Sequence, residues 1–293
     1  MKSKILELVK NYTDYFFITP KDKNKSILML IFSYEPYELL NKKEYAEIDA
    51  YYFVSNESYH KTKKLCEELN QIGVVASYNF DINYKKIAYE NNFAGVGKNT
   101  LCYVSNFGSR FVMQAIELEG VFEHKISNIK LQPNCSVCNL CEKACPTGAI
   151  SKNGFDAKKC LRHLQESGNY LSDETAIKMQ NKLLGCDICQ AVCPYNKEQK
   201  RVPVPEYLLD NLKLEVLLEQ FKNKQFNKKE WSVKIGKNYA REIMLLPNLM
   251  LIVGNTNNQK FVPFLHHFKT HKDELVSKNA LRSLHNLQPD KKE

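Results

Sequence analysis

Eight of the chain's ten cysteines lie between residues 135 and 193, and their spacing limits the fold more than any other feature. Cys135, Cys138, Cys141 and Cys145 are followed by Pro146, a CxxCxxCxxxCP run. Cys160 then stands alone, and Cys186, Cys189 and Cys193 are followed by Pro194, giving CxxCxxxCP. A cubane of iron and sulfide needs one thiolate at each iron corner, and two-residue gaps let a looping backbone supply three of them while its amides point at the sulfurs. The same turn cannot reach the fourth corner. In two-cluster chains the cysteine before proline opens a helix that carries its sulfur to the other cluster. The spacing therefore assigns Cys135, Cys138, Cys141 and Cys193 to one [4Fe-4S] cluster, and Cys145, Cys160, Cys186 and Cys189 to a second.

In that scheme Cys160 replaces the ligand that a symmetric two-cluster ferredoxin would place one CxxC step before Cys186, where this chain has Leu183. Zinc competes poorly, because a structural zinc site takes four ligands in two pairs and not two CxxxCP endings. Disulfides need an oxidising compartment, and Met1 to Lys10 lacks the long apolar core of a signal peptide. Cys66 and Cys102 read as small buried apolar side chains.

At 293 residues the chain can build two or three domains, each with a real core. No apolar run reaches the length of a membrane span, and oxidant-sensitive clusters suit the cytoplasm. The 42 Lys and Arg against 33 Asp and Glu leave a formal charge of +9, which suits a polyanion but equally a Lys-rich solvated surface.

Met1 to Tyr15 has the spacing of a short amphipathic helix. Lys25 to Tyr34, a continuous apolar run ending near Pro36, reads as a buried strand. A helix from Ser58 to Asn70, capped by Ser58 and ended by Gly73, and a strand from Val74 to Tyr78 follow. That order predicts an α/β domain with a parallel, covered sheet. After a helix over Tyr84 to Asn92 comes FAGVGKNT, residues 93–100, where Gly95 and Gly97 allow close backbone approach and Lys98, Asn99 and Thr100 offer donors. GxxxxGK[ST] is not matched, so this is no P-loop. Strands at Leu101 to Ser105 and Phe111 to Leu118, joined by the turn Asn106 to Ser109, read as a hairpin.

Taken together, KSILMLIFSYEP (25–36), SYH (58–60), GVGKNTL (95–101), FGSRF (107–111), the first cysteine run through TGAI, KKC (158–160) and GCDICQAVCPYN (185–196) resemble the epoxyqueuosine reductase family. The resemblance runs from about Lys25 to the end. It implies a cobalamin-dependent enzyme that removes the epoxide oxygen of epoxyqueuosine at the tRNA wobble position, a plan shared with reductive dehalogenases. It also implies three parts: an α/β cobalamin-binding and catalytic domain over 1–128, a ferredoxin-like two-cluster domain over 129–200, and a short HEAT-like helical tail over 201–293. By the same resemblance, Gly97, Lys98, Asn99, Thr100, Gly108 and Ser109 would hold the corrin, with the cluster of Cys145 and Cys160 nearer the cobalt. The anticodon stem-loop of tRNA and a low-potential electron donor would be the partners of a cytoplasmic monomer.

Opening an epoxide to an alkene takes two electrons, which clusters deliver singly, and a proton donor for the departing oxygen. Here the chain departs from its relatives. The family carries its presumed donor, an aspartate, in a valine-aspartate-serine or threonine segment upstream of GKNT. Counting back without a gap from Lys98 reaches Tyr78; Asp81 fits only if three residues are missing between it and the glycine loop. Asp81 and Tyr78 are both candidates, and Asp81 also fits the role of a helix cap. A small-molecule cobalamin reductase and a non-catalytic ferredoxin-like carrier are the rival functions.

Beyond the stiff VPVP exit (202–205), helices are expected at Asn211 to Phe226, Asn238 to Ile252, Asn257 to Phe268 and Lys272 to Leu284. In the family such a tail grips tRNA. His266, His267 and His271 lack partner cysteines and read as surface residues.

Overall fold

Lys25–Ser33 is a nine-residue strand with seven consecutive buried positions. Its side chains alternate between two apolar layers. Leu28, Leu30 and Phe32 join Ile5, Val9, Leu65 and Leu69 on one face. On the other, Ile27, Met29 and Ile31 meet Phe93, Ala94 and Phe111. Burial on both faces is why the run is apolar without alternation. Leu28, Met29, Leu30 and Ile31 are fully buried, each contributing about 1.5–3 kcal/mol as an upper figure. Cys66 and Cys102 lie in these layers, where burial raises both thiols.

The computed structural model describes residues 1–78, 81–104, 107–125 and 135–288. They fall into two compact units: Met1–Glu35 with Phe53–Cys141 and Gln190–Lys200, and Pro36–Tyr52 with Glu142–Cys189 and Arg201–Glu293. Ser105 and Asn106 of the expected hairpin, and the expected boundary at 128, lie outside the described residues.

The sheet of the first unit runs in the order Tyr15–Pro20, Lys25–Ser33, Phe111–Glu119, Ala76–Ser77. Every pairing is antiparallel, so the expected parallel sheet is corrected. Part of the βαβ expectation survives. Lys25–Ser33 and Ala76–Ser77 are both antiparallel to Phe111–Glu119, so the helix Ala50–Gln71 does connect two strands of the same direction. Phe111–Glu119 is inserted between them, which no local pattern announces.

Tyr15–Pro20 was hidden at the end of the expected first helix, which stops at Lys10. The expected hairpin is also absent: Cys102–Tyr103 pairs with Gly95–Val96, not with Phe111–Glu119. Ser58 does not cap a helix; it is buried within Ala50–Gln71 with its hydroxyl on the Ser55 carbonyl.

In the second unit Lys182–Leu184 pairs in parallel with Glu47–Ile48, and the Lys182 ammonium lies 3.2 Å from Glu47. Behind this ribbon stands the helix Glu242–Gly254, buried at every position from Leu245 to Gly254. Asn248 anchors it, donating to the carbonyls of Leu183 at 3.3 Å and Gln165 at 3.0 Å. Leu214–Lys222, Lys228–Ile235, Val262–Phe268 and Glu274–Leu287 complete the helical region. Gly254 permits the close approach of the last helix, since a Cβ there would stand 2.3 Å from Ser283 Oγ. His266 and His267 are exposed, and His271 faces Glu242 at 3.4 Å. Among the described residues no helix is long and apolar enough to cross a membrane.

Candidate iron-sulfur and catalytic site

The first unit contains Cys135, Cys138, Cys141 and Cys193; the second contains Cys145, Cys160, Cys186 and Cys189. The chain passes between units inside two short helices, Leu140–Ala144 and Ile188–Ala191. Each therefore starts with the cysteines of one set and leads to a CP cysteine of the other. Among the described residues no three His, Cys, Asp or Glu converge on a single metal ion. A cubane is wider, with one thiolate per iron corner, so each set has to be judged from the chain that presents it.

In the first unit Cys193 opens the turn Pro194–Asn196 with proline at its first position. Burial raises the Cys193 thiol; N–H groups of Tyr195 and Asn196 oppose this, while Cys135 and Cys138 add to it, so these three sulfurs share one electrostatic neighbourhood. Two amides secure the segment. The Ser109 N–H donates to Asn196 Oδ1 at 2.8 Å, and Asn196 Nδ2 donates to Ser109 Oγ at 3.0 Å. Gln190 Nε2 donates to the Ser109 carbonyl at 2.9 Å. Gly108 has to be glycine: its φ is +59°, and a Cβ would fall 1.8 Å from Asn196 Oδ1. Thus Gly108 and Ser109 latch the Cys193 segment, and the groups of Ser109 are engaged by Gln190 and Asn196.

In the second unit Cys160 precedes the helix Leu161–Glu166. That helix is tied to the strand before Cys186 by Gln165, which donates to the Lys182 carbonyl at 2.9 Å and accepts from the Gly185 N–H at 2.7 Å. Burial pushes the Cys186 thiol up to about 12, with Cys160 among the neighbours acting in the same direction. Cys145 behaves oppositely. Burial would raise it, but the Thr147 hydroxyl and the N–H groups of Thr147, Ala149 and Ile150 outweigh burial and hold the thiol below its ordinary value. The Ala149 N–H reaches Cys145 Sγ at 3.3 Å, the kind of bond that stabilises charge on a cluster thiolate. Cys186 also borders a small open cleft that includes the Arg201–Asp187 pair at 3.1 Å.

Residues 97–101 make a tight turn. Gly97 donates to the Leu101 carbonyl at 2.9 Å, and Thr100 donates to the Gly97 carbonyl at 2.8 Å. Thr100 holds φ at +61°, a conformation a β-branched residue adopts only under constraint. The Lys98 N–H donates to Cys135 Sγ at 3.4 Å. The loop thus meets Cys135. With Asn99 Oδ1 accepting from Leu101, the side chains of Lys98, Asn99 and Thr100 retain donors for a ligand.

Tyr78 is half-buried and its phenol donates to Gln114 Oε1. Asp81 is exposed and does not cap the following helix. Asn83 caps Tyr84–Glu90 instead, accepting from the Lys86 N–H. Gln165, Gln190 and Asn196 were missed by sequence reasoning, because isolated amides carry no periodicity; their one signal is a place within five residues of Cys160, Cys189 or Cys193.

Residues 134–196 match the family described as a 4Fe-4S double cluster binding domain. An uncharacterised protein of Geobacillus stearothermophilus is 39% identical over 114 residues, 34% of this chain and 53% of that protein. The epoxyqueuosine reductase of Listeria monocytogenes is 31% identical over 130 residues, 40% of this chain and 32% of that one. These alignments therefore span about a half and a third of those relatives. Longer ones join the chain to the epoxyqueuosine reductases of Cyclobacterium marinum, 28% identical over 76% of both chains, and Leadbetterella byssophila, 31% over 66% of both.

The fold matches epoxyqueuosine reductase from Streptococcus thermophilus with a TM-score of 0.78 at 18% identity, covering 100% of this chain and 92% of that one. A Bacillus subtilis epoxyqueuosine reductase whose catalytic aspartate loop is swung out of the active site matches with 0.72 at 20%, and an epoxyqueuosine reductase with a modified tRNA stem loop with 0.72 at 19%; each match covers 98% of this chain and 90% of the other. With a double-cluster domain, this fold and relatives aligned along most of its length, the chain belongs to the epoxyqueuosine reductase family.

Proposed function

We propose that this protein reduces epoxyqueuosine to queuosine in tRNA, using cobalamin and two [4Fe-4S] clusters. The observation that supports the reading is the hydrogen bond from the Lys98 N–H of the glycine loop to Cys135 Sγ, which would couple a corrin-holding turn to a cluster ligand. The reaction consumes two electrons and two protons: both epoxide C–O bonds break, a C=C bond forms, and the oxygen leaves as water. When bound, cobalamin supplies a strongly reducing centre for this chemistry.

Lys98, Asn99 and Thr100 would hold its polar periphery, and the strained Thr100 fixes the turn that presents them. By the family resemblance the cluster of Cys145 and Cys160 would lie nearer the cobalt, with the Lys98–Cys135 hydrogen bond tying the glycine loop to the other set. Asp81 or Tyr78 supplies the proton. In this reading residues 1–128 bind the corrin, 129–200 carry the clusters, and the helical region 201–293 helps a monomer grip the anticodon stem-loop. The +9 charge favours that polyanion, and the tRNA-bound relative supports the same substrate class. A separate low-potential donor feeds the clusters.

The test is to incubate reconstituted protein with cobalamin, a low-potential reductant and epoxyqueuosine-containing tRNA, then digest the tRNA and measure queuosine by mass spectrometry. Conversion is expected. No conversion by protein shown to carry cobalamin and both clusters overturns the reading. Turnover of free epoxides without tRNA binding would assign a small-molecule substrate, the alternative that Tyr78 at the aspartate register favours.

A further inference from the structure

Two ion pairs of the second unit line the cleft that Cys186 borders. Lys182 and Glu47 stand at 3.2 Å, and Arg201 and Asp187 at 3.1 Å. Asp187 follows Cys186 in the chain, and Arg201 offsets the charge it brings there. Lys182 takes its carboxylate from a separate strand. It is the partner of Glu47 in the parallel ribbon, so the backbone pairing brings the two side chains together. Both oxygens of Glu47 are engaged: Oε1 accepts from the Leu40 N–H at 3.2 Å, and Oε2 accepts from Lys182 Nζ.

Stability is a weak reason for such a pair. Its side chains are only 10% and 17% exposed. At that burial the loss of hydration consumes most of the attraction, and apolar residues of similar volume would hold the ribbon as well or better. What they would not supply is charge at Cys186. Burial is the largest influence on that thiol and raises it; the Ile188 N–H and the Lys182 ammonium oppose burial, while Asp187 and Cys160 add to it. Lys182 is therefore a cation within electrostatic reach of this sulfur, where little water screens it.

We infer that Lys182 raises the reduction potential of the cluster held by Cys186, with Glu47 as the residue that positions it. The cluster gains one electron and the low-potential donor loses it, so one negative charge is added to a centre already surrounded by thiolates. A fixed cation nearby lowers the cost of that charge, and a carboxylate raises it. Glu47 holds the ammonium in the cleft and moderates its field. The pair thus balances how readily the cluster fills against how strongly it reduces the next centre.

The inference rests on the two-cluster part of the proposed function and not on the substrate. Its test is an anaerobic redox titration of the full-length protein carrying both clusters, followed by electron paramagnetic resonance. The second cluster is identified by the signal that Cys160→Ala lacks. Lys182→Gln is expected to lower the reduction equilibrium constant of that cluster about tenfold, a fall of about 59 mV for a one-electron couple. Glu47→Gln is expected to raise it, Lys182→Arg to leave it within about threefold of wild type, and the other cluster to stay unmoved in all three.

Both glutamine variants weaken the same ion pair, so a purely structural role would not move the two potentials in opposite directions. If Lys182→Gln fails to hold its clusters, Glu47→Gln alone decides: a rise supports the inference, and no change or a fall overturns it. Shifts of the same sign, or a fall in Lys182→Arg equal to that in Lys182→Gln, also overturn it. Wild type lacking the signal assigned to Cys160 overturns the cluster assignment and the inference with it. If the opposed shifts appear but no queuosine is made, the function fails and the role of Lys182 stands.

Discussion

The backbone N–H of Ser109 donates to the side-chain oxygen of Asn196 at 2.8 Å, joining positions 87 residues apart. Asn196 is 3% exposed and also donates to Ser109 Oγ and to the Gln190 carbonyl. Asn196→Ala leaves buried groups unpaired, at a cost of roughly 2–4 kcal/mol. The expected result is a lower Tm together with iron content falling from about eight towards about four atoms per chain, because Cys193 loses its support. Full iron content in the variant would show that the latch does not govern Cys193.

Substituting one cysteine from each set separates the clusters. Cys160→Ala and Cys193→Ala are each expected to retain about four irons, and the double variant about none. Electron paramagnetic resonance of the reduced single variants is expected to give two different spectra. Cys66→Ala, a change in the apolar layer, keeps the full complement. Identical residual spectra would mean that the two cysteines serve one cluster.

Gln165 holds the Gly185 N–H and the Lys182 carbonyl with one amide. Gln165→Leu keeps much of the volume but strands both backbone groups, costing about 2–4 kcal/mol. Chemical denaturation is expected to show that loss, and the cluster of Cys160 and Cys186 to become more readily removed by chelator. An unchanged midpoint and chelation rate would contradict this role.

Glu117 is gripped by Lys21, then Lys25, and these hydrogen bonds lower its carboxyl from 4.5 to about 2. A depressed carboxyl contributes stability that is complete above the unfolded value, about 4.3, and lost as the pH falls through the folded value. Wild type is therefore expected to lose its advantage over Glu117→Gln between about pH 5 and pH 2. Since the lysines are 37% and 35% exposed, the difference should stay below about 1 kcal/mol. Thermal melts across that range test the sign.

How much of this was legible depended on whether a residue's role is local. Lys25–Ser33 could be read because burial on both faces leaves an uninterrupted apolar run. Phe111–Glu119 could be read as a strand, but its place between Lys25–Ser33 and Ala76–Ser77 is a long-range fact. Tyr15–Pro20 was concealed because its apolar residues extend the pattern of the preceding helix.

At the site, the cysteine spacings are metal geometry written in sequence. Gln165, Gln190 and Asn196 act through single amides on distant backbone, and a lone amide has no spacing to recognise. Asp81 as a cap was a reasonable local reading, yet Asn83, two residues later, occupies that position.

The passage of the chain between units inside Leu140–Ala144 and Ile188–Ala191 bears on biogenesis. During synthesis the set ending at Cys189 has all its thiols before the set that waits for Cys193, and the first unit lacks residues 190–200 until that point. The first unit, whose sheet is made within residues 15–119, is therefore completed by a segment made much later, a high contact-order arrangement that folds slowly. Protein made without iron is therefore expected to be cut by protease in the cysteine-rich segment more readily than protein carrying its clusters.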